Sequence, residues 1–386
     1  MILPTQAAAV LLPLAPAFTA PTFERFVLLT LSAILTTGRR TVANLKGKRV
    51  YGKARHRDPV RSTKSYTAWR YGHRWVVLAV LVHLPFAKRP WALPVLADLY
   101  RSRDDDRRRG RPHRTPAQLL CRLVAVLLRW FPDRRFVLVG DAGYGTHEVA
   151  RFCRDRRDRL TLVSKLHPKA NLSEPPPPYR GKGRPRVKGA ALPKPEQVVA
   201  DARFRRAVVR WYGGGTRLVA VVSRTGCWYK SGAGLVPLRW VFVRDRPGTH
   251  RDEYFYSTDP AMSPESVVGH YCWRWNVETT FQEARAHLGL ETTRGWCRET
   301  VLRAAPCLLG LYSVVALLFA ALPEAQRSGS VCWPGKSTVT FSDALTAVRR
   351  WLWSEWVLPQ AGGETAVAKL PPHVKELLFA ALAPAA

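Results

Sequence analysis

The chain has 386 residues, enough to bury a substantial core in one large domain or two. Its 61 Lys and Arg against 28 Asp and Glu give a formal charge of +33, and the pI is near 10.8. An excess of that size argues for a polyanionic partner rather than for a fold, and nucleic acid is the commonest polyanion. The seven cysteines are scattered, odd in number and include no C-x-x-C pair, which argues against a zinc site or a disulfide framework and for a reducing compartment.

Residues 1–20 are apolar but lack a basic start and carry Pro4, Pro13 and Pro16, which argues against a secretory signal. Thr22 to Leu45 reads as helical, with Phe23, Val27, Leu31 and Ile34 on its apolar side. Its GRRTVAN turn leaves open a DNA-reading module or a plain helical hairpin. Lys46 to Arg61 is strongly basic. Two strands joined through GHR are expected at Ser65–Tyr71 and Trp75–Leu84, the second apolar enough to be covered on both faces. Arg101 to Arg114 reads as a loop in which Asp104, Asp105 and Asp106 are neutralised by interleaved arginines and solvated. Thr115-Pro116 caps a helix running to Trp130.

Phe136 to Gly140 is a short apolar strand ending in Asp141-Ala-Gly-Tyr-Gly145. A helix over His147–Arg159 and a strand over Leu160–Lys165 follow, the alternation of an α/β core. Ser173 to Glu196 is a basic, Pro- and Gly-rich linker, expected to be extended or mobile. Antiparallel strands are expected at Ala207–Trp211, Arg217–Ser223, Leu238–Arg244 and Glu253–Ser257, a β-rich insertion. Val301–Leu322, Asp343–Trp356 and Pro372–Leu382 read as helices. Ala304–Leu322 is uncharged and long enough to span a bilayer, but Pro306, Gly310 and the lack of a second such segment favour a buried core helix and no membrane partner.

The organising stretch is Tyr271 to Gly289, which reads as one long helix with Ser263-Pro264-Glu265 as its start and Gly289 as its stop. At about 100° per residue, Tyr271, Arg274, Glu278, Gln282 and Arg285 fall within an arc of roughly 80°. Val277, Phe281, Ala284 and Leu288 form an apolar stripe beside them. Glu278 is then either a metal ligand or an i,i+4 partner of Arg274, and Tyr271 either grips phosphate or sits at the core edge. Asp141, at the carboxyl end of a strand, is a ligand candidate or a turn former. Phosphodiester cleavage by paired divalent ions needs carboxylates from different elements beside cations that hold phosphate, and these residues supply both types.

Tyr271-x2-Arg274-x3-Glu278-x6-Arg285 resembles the Y-x2-R-x3-E-x6-K signature of insertion-sequence DDE transposases, with arginine replacing the last lysine. VLVGDAGYG around Asp141 resembles the block that carries that family's second aspartate. The resemblance runs from about Phe23 to Leu322. It implies an α/β, RNase H-like core with Mg²⁺ or Mn²⁺ bound by Asp141 and Glu278. Tyr271, Arg274 and Arg285 would contact DNA at the cleavage site. The implied partner is double-stranded DNA, both transposon ends and target, bound by a homodimer in the bacterial cytoplasm and nucleoid. The implied segments are a helical 1–45, core parts 46–172 and 260–325, the linker and insertion 173–259, and a helical 326–386.

One block of the family pattern is missing. No apolar strand ending in aspartate precedes KGKRVYGK, and Asp58 follows a basic coil instead. An internal deletion near residue 45 accounts for this, leaves the RNase H-like core without its first, central strand, and orphans the edges of its neighbours. The expectation is a transposase chain inactive as it stands. A non-catalytic DNA-binding protein, another nuclease of the same fold and a membrane protein are the rival readings.

Overall fold

The computed structural model describes residues 3–37, 50–58, 61–63, 65–179, 181, 183–291, 296–327, 336 and 338–384. GRRTVAN and the junction near residue 45 lie outside them. In chain order the elements are α1 (Thr5–Leu11), α2 (Ala20–Leu35), β1 (Ala54–Arg57), β2 (Trp69–Gly72), β3 (Arg74–Val82), β4 (Trp91–Tyr100), α3 (Arg103–Arg108), α4 (Pro116–Trp130), β5 (Phe136–Val139), α5 (His147–Arg154), β6 (Leu160–Lys165) and β7 (Leu172–Ser173). There follow α6 (Pro195–Ala200), β8 (Arg205–Arg210), β9 (Thr216–Lys230), β10 (Gly234–Asp245), β11 (Glu253–Ser257), α7 (Pro264–Trp273), α8 (Asn276–His287), α9 (Arg298–Ala321) and α10 (Phe341–Leu352), with a last helix at Pro372–Leu382. The chain divides into two compact units: a sheet unit of Ala54–Leu78 and Ala97–Asn276, and a helical unit of Met1–Lys53, Ala79–Leu96 and Val277–Ala386.

The sheet unit is built on strands β5, β6, β11, β10, β9 and β7 side by side in that order, with β8 also on β9. β5 and β6 are parallel, as expected of strands flanking a helix. β11 then pairs antiparallel with β6, Phe255 opposite Lys165. The strands expected as an insertion therefore extend the same sheet as the α/β pair. β9 and β10 run longer than their apolar cores, because the ladder from Gly234↔Lys230 to Asp245↔Val219 carries their polar ends along. One face of the sheet is sealed by α7, whose Val267, Val268, Tyr271 and Cys272 pack on Val209, Val221, Val241 and Phe255. α4 is capped as expected, Thr115 accepting from the Gln118 N–H while the Gln118 side chain accepts from the Thr115 N–H.

Four expectations need correction. The hairpin through GHR does not form: β2 pairs with β1, and β3 pairs with β4, a strand the sequence reading missed because Pro94 interrupts it. The Asp104–Asp106 run is a short helix, not a solvated loop. Asp106 is buried, receives a 2.7 Å bond from Arg101 and lies 3.1 Å from His113. The segment expected as a linker from Ser173 to Glu196 begins in β7 and ends in α6, and its flanks pair with each other, the Glu174 N–H bonding Ala190 O at 2.8 Å. The long helix is two helices, broken at Arg274 and Trp275. There the N–H groups of Arg274 and Trp275 turn back to Tyr271 and Cys272, three residues away, and tighten the end of α7.

In the helical unit, α8 carries buried Ala284, is followed by buried Leu288, and sends the Thr280 hydroxyl to Ala92 O at 2.8 Å. It ends as expected at Gly289, whose φ of 75° reverses the chain. α9 buries Val301, Leu309, Tyr312, Val315 and Phe319 on its packed side. It is also the one described helix long and apolar enough to cross a membrane. Arg349 of α10 is buried and donates to Ile34 O and Thr36 O, so one guanidinium closes the carbonyl end of α2.

Candidate active site

Asp141 stands two residues past β5, where the chain makes a tight turn before α5. Its side-chain oxygen accepts from the Gly143 N–H at 2.8 Å, and its carbonyl accepts from the Tyr144 and Gly145 N–H groups. The Ser164 hydroxyl, on β6, donates to the carbonyls of Gly140 and Asp141 at 2.9 and 3.0 Å. The glycines are required by crowding: a Cβ on Gly140 would lie 2.8 Å from Tyr144 Cβ, and one on Gly145 2.5 Å from Ser164 Oγ and 3.0 Å from the Lys165 carbonyl. The turn thus presents an exposed carboxylate on a fixed mount. It opens into a cleft of about 530 Å³ lined by Arg74, Thr115, Tyr144, Thr146 and Glu148 among others. Burial raises the Tyr144 phenol above its ordinary pKa, and the charge of Asp141 adds to the rise.

A second cavity, about 460 Å³, lies at the corner where α7 ends. Tyr271 is 2% exposed and its ring packs 4.4 Å from that of Phe255, so it belongs to the core and lines the cavity at once. Burial pushes its phenol up to about 12, against the pull of Arg274 and with the charge of Glu253 adding to the rise. The Arg274 guanidinium lies 5.5 Å from the Tyr271 ring centroid and Lys165 Nζ 5.6 Å from it. Around the same space stand Trp211, Tyr212, His250 and Trp275. The Tyr212 and His250 rings are stacked at 5.7 Å, and Trp275 is 47% exposed.

The far wall of that cavity is held by Asp245. Its carboxylate takes two bonds from Arg217, at 2.6 and 2.8 Å, and also the N–H groups of Thr249 and His250. Burial opposes its ionisation, but these donors win and hold its carboxyl below the usual range. The sequence reading missed this set. The aromatic pair Trp211-Tyr212 before three glycines was its only trace.

The sheet unit therefore gathers Tyr271 and Arg274 at one corner, while Asp141 faces the other cleft. Glu278 and Arg285 belong to α8, in the helical unit. Glu278 is half-buried, and Arg285 is exposed and ion-paired with Glu291 at 2.8 Å. Among the described residues no group of three or more His, Cys, Asp or Glu side chains gathers as a metal site.

Residues 44–217 match the family model of the DDE superfamily endonucleases. That span includes Asp141 and ends before the Tyr271–Arg285 stretch. No curated protein matches the chain. Among solved structures the chain is similar to the piggyBac transposase synaptic complex with hairpin DNA, at 12% identity and a TM-score of 0.35 over 86% of this chain and 54% of that one. The chain thus spans about half the length of that transposase.

Proposed function

We propose that this chain is a DNA transposase polypeptide of the insertion-sequence DDE type that binds double-stranded DNA and, as it stands, does not cleave it. The observation that carries the reading is the Asp141 mount, an exposed carboxylate at a strand's carboxyl end within the span that matches a DDE superfamily endonuclease. The reaction of that type is Mg²⁺- or Mn²⁺-dependent cleavage and strand transfer at terminal inverted repeats, acting through a homodimer on DNA. By the resemblance Asp141 and Glu278 are metal ligands, while Tyr271, Arg274 and Arg285 contact DNA. The divalent ions would polarise the scissile phosphate and activate water.

Of these residues, Arg274 is the one set to grip phosphate beside an open cavity, and Trp211, Tyr212, His250 and Trp275 offer flat faces to a base. Tyr271 acts by positioning, its ring wedged under the guanidinium. Inactivity is read from the missing block of the family pattern, no strand-ending aspartate preceding KGKRVYGK, and the edges of the sheet support it. β5 ends its sheet with no strand on its outer side among the described residues, and β3–β4 form a ladder of their own. A core deprived of its first strand would have those two features. α9 is read as a core helix.

The test uses the full chain in a duplex-retardation assay and in a Mn²⁺ titration followed by electron paramagnetic resonance. Glu278→Ala should leave duplex affinity within about twofold of the parent, whereas Arg274→Ala should lower it on the order of tenfold. Mn²⁺ should bind weakly, and more weakly still in Asp141→Asn and in Glu278→Gln. No affinity for duplex DNA, or Mn²⁺ binding indifferent to both acids, would refute the reading.

A further inference from the structure

The basic arm is a feature the cleavage chemistry does not use. Residues 175–188, PPPPYRGKGRPRVK, hold five Lys and Arg and no acid. The ends of the arm are fixed on the sheet unit. Leu172 and Ser173 pair with Trp228 and Cys227 of β9, the Leu192 N–H bonds Leu172 O at 2.9 Å, and the Gly189 N–H bonds Glu174 O at 3.0 Å. Gly189 is fixed by crowding, since a Cβ there would run into the Pro175 carbonyl. On the returning side, Lys188 Nζ sits 5.4 Å from the Tyr229 ring centroid. Nearer the tip, the Tyr179 hydroxyl donates to Gly183 O at 3.0 Å.

The tip is slender and cationic. Gly181 and Gly183 have positive φ values of 80° and 73°, and a Cβ at either would meet nothing within 4 Å. Arg184, Arg186 and Lys188 are exposed. Pro185 between the two arginines lacks an N–H and so cannot donate to a ladder. A glycine-thin bend with a guanidinium on each side of a proline is too narrow to fill a major groove, which takes a helix or ribbon about 12 Å wide. It fits a minor groove of about 6 Å, where A·T tracts are narrowest and their negative potential draws arginine. The guanine 2-amino group would obstruct the same backbone.

We infer that Gly183-Arg184-Pro185-Arg186 is a minor-groove binding element that holds A·T-rich duplex DNA. The inference rests on the DNA-binding reading above. Its test compares three duplexes of equal length: one with a central A·T tract, one with G·C in its place, and one with inosine·cytosine, which keeps the G·C major groove but removes the 2-amino group. The full chain should bind the A·T and inosine·cytosine duplexes alike and the G·C duplex roughly tenfold more weakly. Netropsin should compete for the first.

Arg184→Ala combined with Arg186→Ala should erase the preference and reduce the slope of log affinity against log salt by about two, with an unchanged thermal midpoint as the folding control. Duplex binding that ignores netropsin, the 2-amino group and the double substitution would overturn the inference while leaving the DNA-binding reading intact. Failure to bind any duplex would overturn both.

Discussion

Two residues show how much depends on single groups. Gly145 faces Ser164 Oγ and the Lys165 carbonyl. Gly145→Ala should therefore destabilise the sheet unit by about 1–3 kcal/mol, measured by denaturant unfolding, and displace the Asp141 turn with it. Arg217 is the paired cation of a carboxylate whose side chain is 1% exposed. Its loss should cost about 3 kcal/mol, because Asp245 would stay buried and charged with only backbone and hydroxyl donors.

The sign of the pH dependence follows from the same groups. Burial works against ionisation of Asp106 and Asp245, yet hydrogen bonds from Arg101 and His113, and from Arg217, leave both carboxyls below their ordinary values. A depressed folded value means the stabilisation is complete above the unfolded value of about 3.9 and is lost as the pH falls through the folded ones. Thermal midpoints should fall steeply below about pH 4, and less steeply in Asp106→Asn, whose neutral side chain does not titrate. Asp141 and Tyr271 were legible as residues of interest because their types and spacing speak for themselves. The burial of Asp106 was not, since three aspartates among arginines look alike until a fold chooses one.

Elements were legible where local chemistry settles them. β6 and β11 lie where alternation and turns put them, and α4 starts at its Thr-Pro cap. α7 likewise begins at Ser263, whose side chain accepts from the Ser266 N–H. Ser263→Ala should cost about 1 kcal/mol by the same unfolding measurement. The single helix expected from Tyr271 to Gly289 failed at Trp273-Arg274-Trp275. A 3.6-residue period continues across those residues as though nothing happened, while the backbone closes on itself with three-residue turns. Strand pairing was the other loss. β3 and β4 choose each other over a nearer neighbour, and partner choice is a long-range property that no window of sequence contains.

On the scale of the molecule, the charge of +33 is the feature most directly tied to function, and it needs no fold to be read. It requires that duplex affinity fall steeply and linearly in log–log form with salt, a dependence retardation assays at graded ionic strength will report. Under the proposed reading of α9 as a core helix, recovery of the expressed protein in the detergent-free soluble fraction is the expected result.

The proposed chain binds duplex DNA like a transposase and lacks the family's first strand-ending aspartate. That proposal is tested most directly by incubating the purified full chain with Mn²⁺ and a labelled duplex carrying inverted repeats drawn from the DNA that flanks its gene. Retardation of the duplex without any cleaved or joined product is the predicted result. Robust strand-transfer product would contradict it.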